Sequence, residues 1–286
     1  MHVDELPIEI PLVRRLLEEQ FPEWSALPLE GVPSTGTDNA LYRLGDDRVL
    51  RLPRIEWATG AIAKDFRWLP LLAPWLPVSI PAPLARGYPG AGFPWEWGMY
   101  SWLPGENPPL GSGGAGLARD LAGFVRALRE IDSSGAPPSR RGRPLATQDE
   151  RARQALAEVP EAAEAWDEAL AVPGWQSPPV WLHADLLPGN LLVRKGRLVA
   201  VLDFAVAGVG DPACDLIPAW TVLSREAREL FRLEVGLDDD AWARGRGWAL
   251  SIGLIALPYY RETNPGFAAV ARHLIDEVLA EANVRS

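Results

Sequence analysis

Two short apolar runs, each ending in an acid, restrict this chain more than any other feature. Val180, Trp181 and Leu182 lead into His183, Asp185 and Asn190, and a further apolar run opens at Leu191. Downstream, the run LVAVL leads into Asp203 and Phe204. Apolar runs bounded by turn residues read as buried strands. Two acids and an amide therefore emerge from neighbouring strand ends, on loops held between buried elements.

Phosphoryl transfer asks for this inventory. One carboxylate orients the proton of the attacking hydroxyl, and an amide oxygen and a second carboxylate hold magnesium on the phosphates. His-x-Asp with Asn five residues beyond the Asp fits a kinase catalytic loop, and Asp-Phe after the next strand fits the metal site that follows it. Taken singly, each residue has a plainer reading. His183 fits a core histidine that orients the loop, Asp203 a turn cap, and Asn190 the end of a Pro188-Gly189-Asn190 turn. Residue type, spacing and the preceding strand, taken together, favour the chemistry.

A chain of 286 residues with 48% hydrophobic content exceeds a typical single core and suggests one bilobed unit or two domains. The single Cys214 excludes an internal disulfide. The start, MHVDELPIEI, shows no basic stretch followed by an apolar core, so a cytoplasmic location is expected. The run from Trp248 to Tyr260 is too short for a membrane span and contains Pro258, which reads as a buried helix. With 28 basic and 38 acidic residues the formal charge is −10. That balance disfavours nucleic acid and anionic membrane as partners and suits a cationic small molecule.

Along the chain, apolar spacing predicts an amphipathic helix over 11–21. Alternation predicts a hairpin of strands Asn39–Leu44 and Arg48–Pro53 about a Gly45-Asp46-Asp47 turn. The turn before it, Ser34-Thr35-Gly36-Thr37-Asp38, is small and polar enough to lie over phosphates. It also fits a plain hairpin turn. Arg51 ends the second strand, where a kinase needs a cation for phosphate, and a helix over 59–69 carries Asp65 as its possible partner. A surface arginine and a solvated aspartate are the alternatives. Prolines from 70 to 94 are expected to block long helices.

The segment WEWGMYSWLPGE reads as a buried strand. In a bilobed kinase it would be the hinge, with the backbone of Tyr100, Ser101, Trp102 and Leu103 hydrogen-bonding adenine. Residues 117–131 predict a helix, and the Pro-, Arg- and Ser-rich span 133–144 a mobile surface loop. Thr147 to Glu150 reads as a capping box opening a helix that runs toward Ala171 and breaks at Pro160. Asp211 reads as a cap ahead of Pro212, and the tail as three further helices.

The stretches STGTDNALYRL, VLRLPR, KDFRWLP, PWEWGMYSWLPGE, WLHADLLPGNLL and VLDFAVAGVGDPACDL together make the chain resemble the aminoglycoside phosphotransferase family. More distantly it is similar to choline kinases and macrolide phosphotransferases. The resemblance implies an α+β, protein-kinase-like fold. Its N-terminal lobe, 1–102, would hold an antiparallel sheet plus a helix and end at the hinge, and a larger, mainly helical lobe, 103–286, would bind the substrate. It implies Asp185 as catalytic base, His183 as loop organiser, and Asn190 and Asp203 as Mg2+ ligands. Ser34, Thr35, Gly36 and Thr37 would lie over the phosphates. Arg51 and Asp65 stand where the family usually has Lys and Glu, and Ala184 and Ala205 replace common glycines. The implied reaction moves the γ-phosphate of ATP or GTP to a hydroxyl of a small molecule, with an aminoglycoside-like cationic acceptor favoured. A neutral metabolite or macrolide acceptor and a nucleotide-binding pseudokinase are the alternatives. Oligomeric state has no signature in the sequence.

Overall fold

The computed structural model describes residues 6–33 and 38–285, with side chains as far as 281. The expected phosphate turn at Ser34, Thr35, Gly36 and Thr37 lies outside the described residues. Contacts group the chain into two units, Met1–Pro74 with Ser79–Pro104 and Trp75–Val78 with Gly105–Ser286.

The first unit contains α1 (Ile10–Gln20), β1 (Leu29–Gly31), β2 (Asn39–Leu44), β3 (Arg48–Pro53), α2 (Gly60–Leu72), β4 (Pro83–Gly87) and β5 (Trp97–Ser101). Its strands form one antiparallel sheet in the order β1-β2-β3-β5-β4. The expected hairpin forms with register Asn39↔Pro53 through Leu44↔Arg48, and Gly45 takes the left-handed conformation its turn requires, φ 60°. Alternation decides the faces: Ala40, Tyr42 and Leu44 point inward and join Leu50, Leu52, Trp97 and Met99 in a core that the Val13, Leu16 and Leu17 face of α1 completes. Pro70 does not end α2, contrary to the expectation from the prolines. The helix continues to Leu72 because Leu69 and Leu72, on either side of Pro70, are both buried, and that burial outweighs the missing N–H in the last turn.

The second unit contains α3 (Ala115–Glu130), α4 (Asp149–Ala155), α5 (Ala163–Ala171), β6 (Val180–Leu182), β7 (Leu191–Arg194), β8 (Arg197–Val201), β9 (Gly208–Gly210), α6 (Pro218–Thr221), α7 (Arg225–Val235), α8 (Asp239–Tyr260) and α9 (Pro265–Arg285). β6 pairs with β9 and β7 with β8, both antiparallel. The buried stripe of α3, including Leu121, Phe124 and Leu128, packs against α7, β6 and β8. α8 packs against α5 and α9. Ser224 and Asp238 cap α7 and α8, and Gly236 ends α7 in the left-handed conformation. Among the described residues no helix is long and apolar enough to cross a membrane.

Two local expectations fail for identifiable reasons. Thr147 opens no capping box: it sits in a 3-10 turn, Leu145–Gln148, and its hydroxyl donates back to the Pro144 carbonyl at 2.8 Å, so α4 starts at Asp149 without a side-chain cap. The span 133–144 is no free loop. Ser139 N donates to Val209 O at 3.0 Å, Val209 N to Pro137 O at 2.9 Å, and Asp211 N to Gly142 O at 3.0 Å. Glycine makes that approach possible, since a Cβ on Gly208 would stand 2.5 Å from Pro137 O and one on Gly210 2.3 Å from Gly142 O.

Candidate active site

β6 buries Trp181 and Leu182 and delivers the chain into His183, whose ring is fully buried between Phe124 and Phe204. Nε2 of His183 donates to Leu202 O at 2.9 Å, and its Nδ1 accepts from Asp185 N at 3.2 Å. A carbonyl on one side and an N–H on the other select the neutral Nε2–H tautomer. The ring thus ties the Asp185 loop to the strand end before Asp203. It reaches no exposed surface.

Asp215 clamps the same loop from below. Its Oδ2 accepts from His183 N at 2.8 Å and its Oδ1 from Ala184 N at 2.6 Å. Ala184 has φ 66°, a conformation that costs a non-glycine residue roughly 1 kcal/mol. The two hydrogen bonds that His183 N and Ala184 N donate to Asp215 offset that strain. Burial pushes the Asp215 carboxyl up to about 7, against the two N–H donors and the Arg129 charge, which favour ionisation. Burial in turn lowers the Arg129 guanidinium and raises the neighbouring Cys214 thiol.

Asp185 itself is held at both oxygens. Asn190 Nδ2 donates to Asp185 Oδ2 at 3.0 Å and to its main-chain O at 2.9 Å. Arg141 Nη1 donates to Asp185 Oδ1 and, at 3.1 Å, to Ala184 O. Burial works against the Arg141 charge, but the Asp185 carboxylate outweighs it and the guanidinium is held above its usual range. Asn190 spends its amide nitrogen on Asp185, so its Oδ1 accepts no hydrogen bond among the described residues. The turn Pro188–Asn190 that carries it is stapled by Asn107, whose Nδ2 lies 3.1 Å from Pro188 O, 3.2 Å from Gly189 O and 2.9 Å from Leu191 O.

Asp203 follows β8 with φ 58°, in the left-handed region that Asp tolerates better than most residues, and its Oδ1 accepts from Ala205 N at 3.2 Å. The β7–β8 hairpin between Asn190 and Asp203 is fixed to α3 by Asp120, which accepts from Arg197 Nε and Nη2 at 2.7 Å each and from Leu198 N at 3.0 Å. Asp211 does cap its turn, accepting from Ala213 N, and it is also paired with the buried Arg244 at 2.7 Å.

In the first unit Arg51 donates to Asp65 at 3.0 Å, and Tyr100 Oη donates to the same oxygen at 3.0 Å. The solvated alternatives for Arg51 and Asp65 are thereby removed, since both are buried. Of the four expected hinge backbones, two have an N–H that is already engaged. Tyr100 turns its hydroxyl to Asp65, Ser101 N donates to Ala82 O at 2.9 Å, and Trp102 N donates to Asp47 O at 2.8 Å. The Leu103 backbone makes no hydrogen bond among the described residues.

Sequence reasoning missed Arg141, Asn107, Tyr100 as a side chain, and Asp215. Only Asp215 carried a signal: an acid inside the apolar run ACDLIPAW must find partners when buried.

The sequence profile described as "Phosphotransferase enzyme family" matches residues 31–248. A relative from Bacillus subtilis (strain 168), the uncharacterized protein YcbJ, is 29% identical over 187 residues, spanning 60% of this chain and 57% of that protein. Among solved structures, the GDP and kanamycin complex of APH(2")-IIia superposes with TM-score 0.75 at 20% identity, covering 94% of this chain and 98% of that one. Apo macrolide 2'-phosphotransferase MphH from Brachybacterium faecium gives TM-score 0.64 at 24% identity over 94% and 98% of the two chains. The structural likenesses share the fold, a five-stranded antiparallel sheet followed by a largely helical part, and the profile match over 31–248 takes in both strand-borne motifs. The chain therefore belongs to the phosphotransferase enzyme family.

Proposed function

We propose that this protein is a small-molecule kinase that moves the γ-phosphate of ATP or GTP to an acceptor hydroxyl. The observation that carries the reading is the Asn190 amide, which donates to Asp185 at 3.0 Å and so leaves its oxygen for another partner. That oxygen and the Asp203 carboxylate are hard donors of the kind magnesium takes. Magnesium, when bound, neutralises charge on the phosphate oxygens during transfer. Asp185 accepts the hydroxyl proton as the hydroxyl oxygen attacks the γ-phosphorus, and the bond to the β-phosphate oxygen breaks to release the nucleoside diphosphate. His183 and Asp215 hold Asp185 in place, Arg51 meets phosphate, and Leu103 offers its backbone to the base.

Two acceptor classes have support. An amino sugar is supported by the −10 charge and by the kanamycin in the complex of APH(2")-IIia. A less charged acceptor, such as the macrolide kind that MphH is named for, is supported by the state of the acids. Glu158 pairs with Arg261, Asp167 with Arg153, Glu168 with Arg246 and Asp239 with Arg232, and Asp238 is spent as a helix cap. Paired acids attract a cation less. The test is nucleoside diphosphate release, with a mass gain of one phosphate on the acceptor, across amino sugars, choline, macrolides and simple sugars with MgATP and MgGTP. Phosphorylation of any member is expected. Nucleotide binding with no phosphorylated acceptor would instead favour the pseudokinase alternative.

A further inference from the structure

Arg141 is the charged group nearest in bonding to the proposed base, and the reaction as described gives it no task. It is not a wandering surface side chain. Ser139 Oγ donates to Val206 O at 2.9 Å, Arg141 N donates back to Ser139 Oγ at 3.2 Å, and Gly142 O accepts from Asp211 N at 3.0 Å, so the residues on either side of Arg141 are fixed to the strand opposite β6. Nη1 is spent on Asp185 and Ala184, whereas Nε and Nη2 make no hydrogen bond among the described residues. The side chain is about one-third exposed, with Asp185 beside it at 21%. Whatever brings a hydroxyl to Asp185 arrives next to a fixed cation with unused donors.

We propose that Arg141 selects the acceptor by what stands next to the reacting hydroxyl: an oxygen, either a neighbouring hydroxyl or a carboxylate, and not an ammonium. This inference rests on the kinase reading and deepens it. A guanidinium has donors and no acceptor, so it bonds an oxygen and cannot bond an ammonium, which also has only donors. Like charges in a partly desolvated site add repulsion to that mismatch. An amino sugar remains an acceptor only through a hydroxyl with no amine on the adjacent carbon.

The experiment uses the full chain, Arg141→Gln and Arg141→Lys, with glucose and glucosamine as a matched pair that differs only at the carbon beside a shared hydroxyl, glucuronate as an acidic probe, and kanamycin. Two readouts are taken at saturating magnesium nucleotide, turnover and calorimetric binding of each probe. In the parent, the neutral or acidic probe should exceed glucosamine by about tenfold or more in kcat/KM or affinity. Arg141→Gln should collapse that ratio mainly through KM of the oxygen-bearing probe, and Arg141→Lys, which keeps the charge, should restore most of it. Unaltered nucleotide affinity shows that each variant is folded. Glucosamine leading glucose in the parent, kanamycin phosphorylated on a hydroxyl beside an amine-bearing carbon, or a glucose-to-glucosamine ratio unchanged in Arg141→Gln overturns the proposal while leaving the kinase reading intact. Binding preference without phosphorylation of any probe removes the kinase reading and retains the selectivity, and absence of both removes the two together.

Discussion

Arg51 donates to Asp65 at 3.0 Å inside the N-terminal unit, and both side chains are nearly closed to solvent, at 11% and 2% exposure. Turning the Asn39 amide so that its oxygen faces the guanidinium would let Arg51 Nε and Nη2 each also donate to it at 3.1 Å. Tyr100 donates to the same Asp65 oxygen. Removing one partner of a buried pair leaves the other charge uncompensated, at a cost of about 3–5 kcal/mol. Arg51→Ala should therefore lower stability in chemical denaturation and raise the nucleotide constant. Arg51→Lys keeps the Asp65 pair and loses the fork to Asn39, so it should fall between the two. Parent-like nucleotide binding in Arg51→Ala would remove the phosphate role.

Asp185→Asn should leave nucleotide affinity near the parent value while turnover falls by about two or more orders of magnitude. Single-turnover kinetics with a working acceptor reads this directly. Retained turnover would take Asp185 out of the proton-accepting role.

Asp203→Asn should act on binding instead. Loss of a carboxylate donor weakens magnesium-dependent nucleotide affinity, which titration with and without the metal measures. Equal affinity of parent and variant across the magnesium range would make the metal assignment wrong.

Asp215 gives a pH signature with a definite sign. Its carboxyl lies near 7 in the folded chain against an ordinary 3.8, so between those values the folded state binds more protons than the unfolded one. Its contribution is fully present below the ordinary value and is lost as pH rises through about 7. The stability of the parent minus that of Asp215→Asn should then fall from pH 5 to about pH 7 and level off above it. Denaturant titrations at several pH values read the difference, and a difference that rises over that range would reverse the assignment.

Gly210→Ala tests the fastening of the 137–142 segment. The added Cβ would stand 2.3 Å from Gly142 O, so backbone must move, with a cost of about 1–3 kcal/mol. Because Gly142 adjoins Arg141, the acceptor KM should change more than the nucleotide constant. A variant as stable as the parent would show that the two backbones part freely.

Much of this was set by local pattern. The two-residue alternation of 39–44 decides which side chains of β2 face the core, and with the Gly45-Asp46-Asp47 turn it made the hairpin legible before any tertiary contact was known. His183, Asp185, Asn190 and Asp203 were legible because chemistry and spacing coincide within two short loops. What clamps those loops comes from far along the chain. Arg141 reaches Asp185 across 44 positions, Asp215 reaches Ala184 across 31, and Asn107 reaches Leu191 across 84. No periodicity encodes such a meeting. An arginine in a polar run looks solvated until glycine at 208 and 210 lets its segment lie against β9, and Pro70 looks like a helix end until Leu69 and Leu72 are buried on either side of it. The sequence thus determined the elements and the candidate reacting groups. Tertiary packing alone decided which distant charges stand beside them, because burial and long-range hydrogen bonds depend on three-dimensional neighbours that local spacing does not specify.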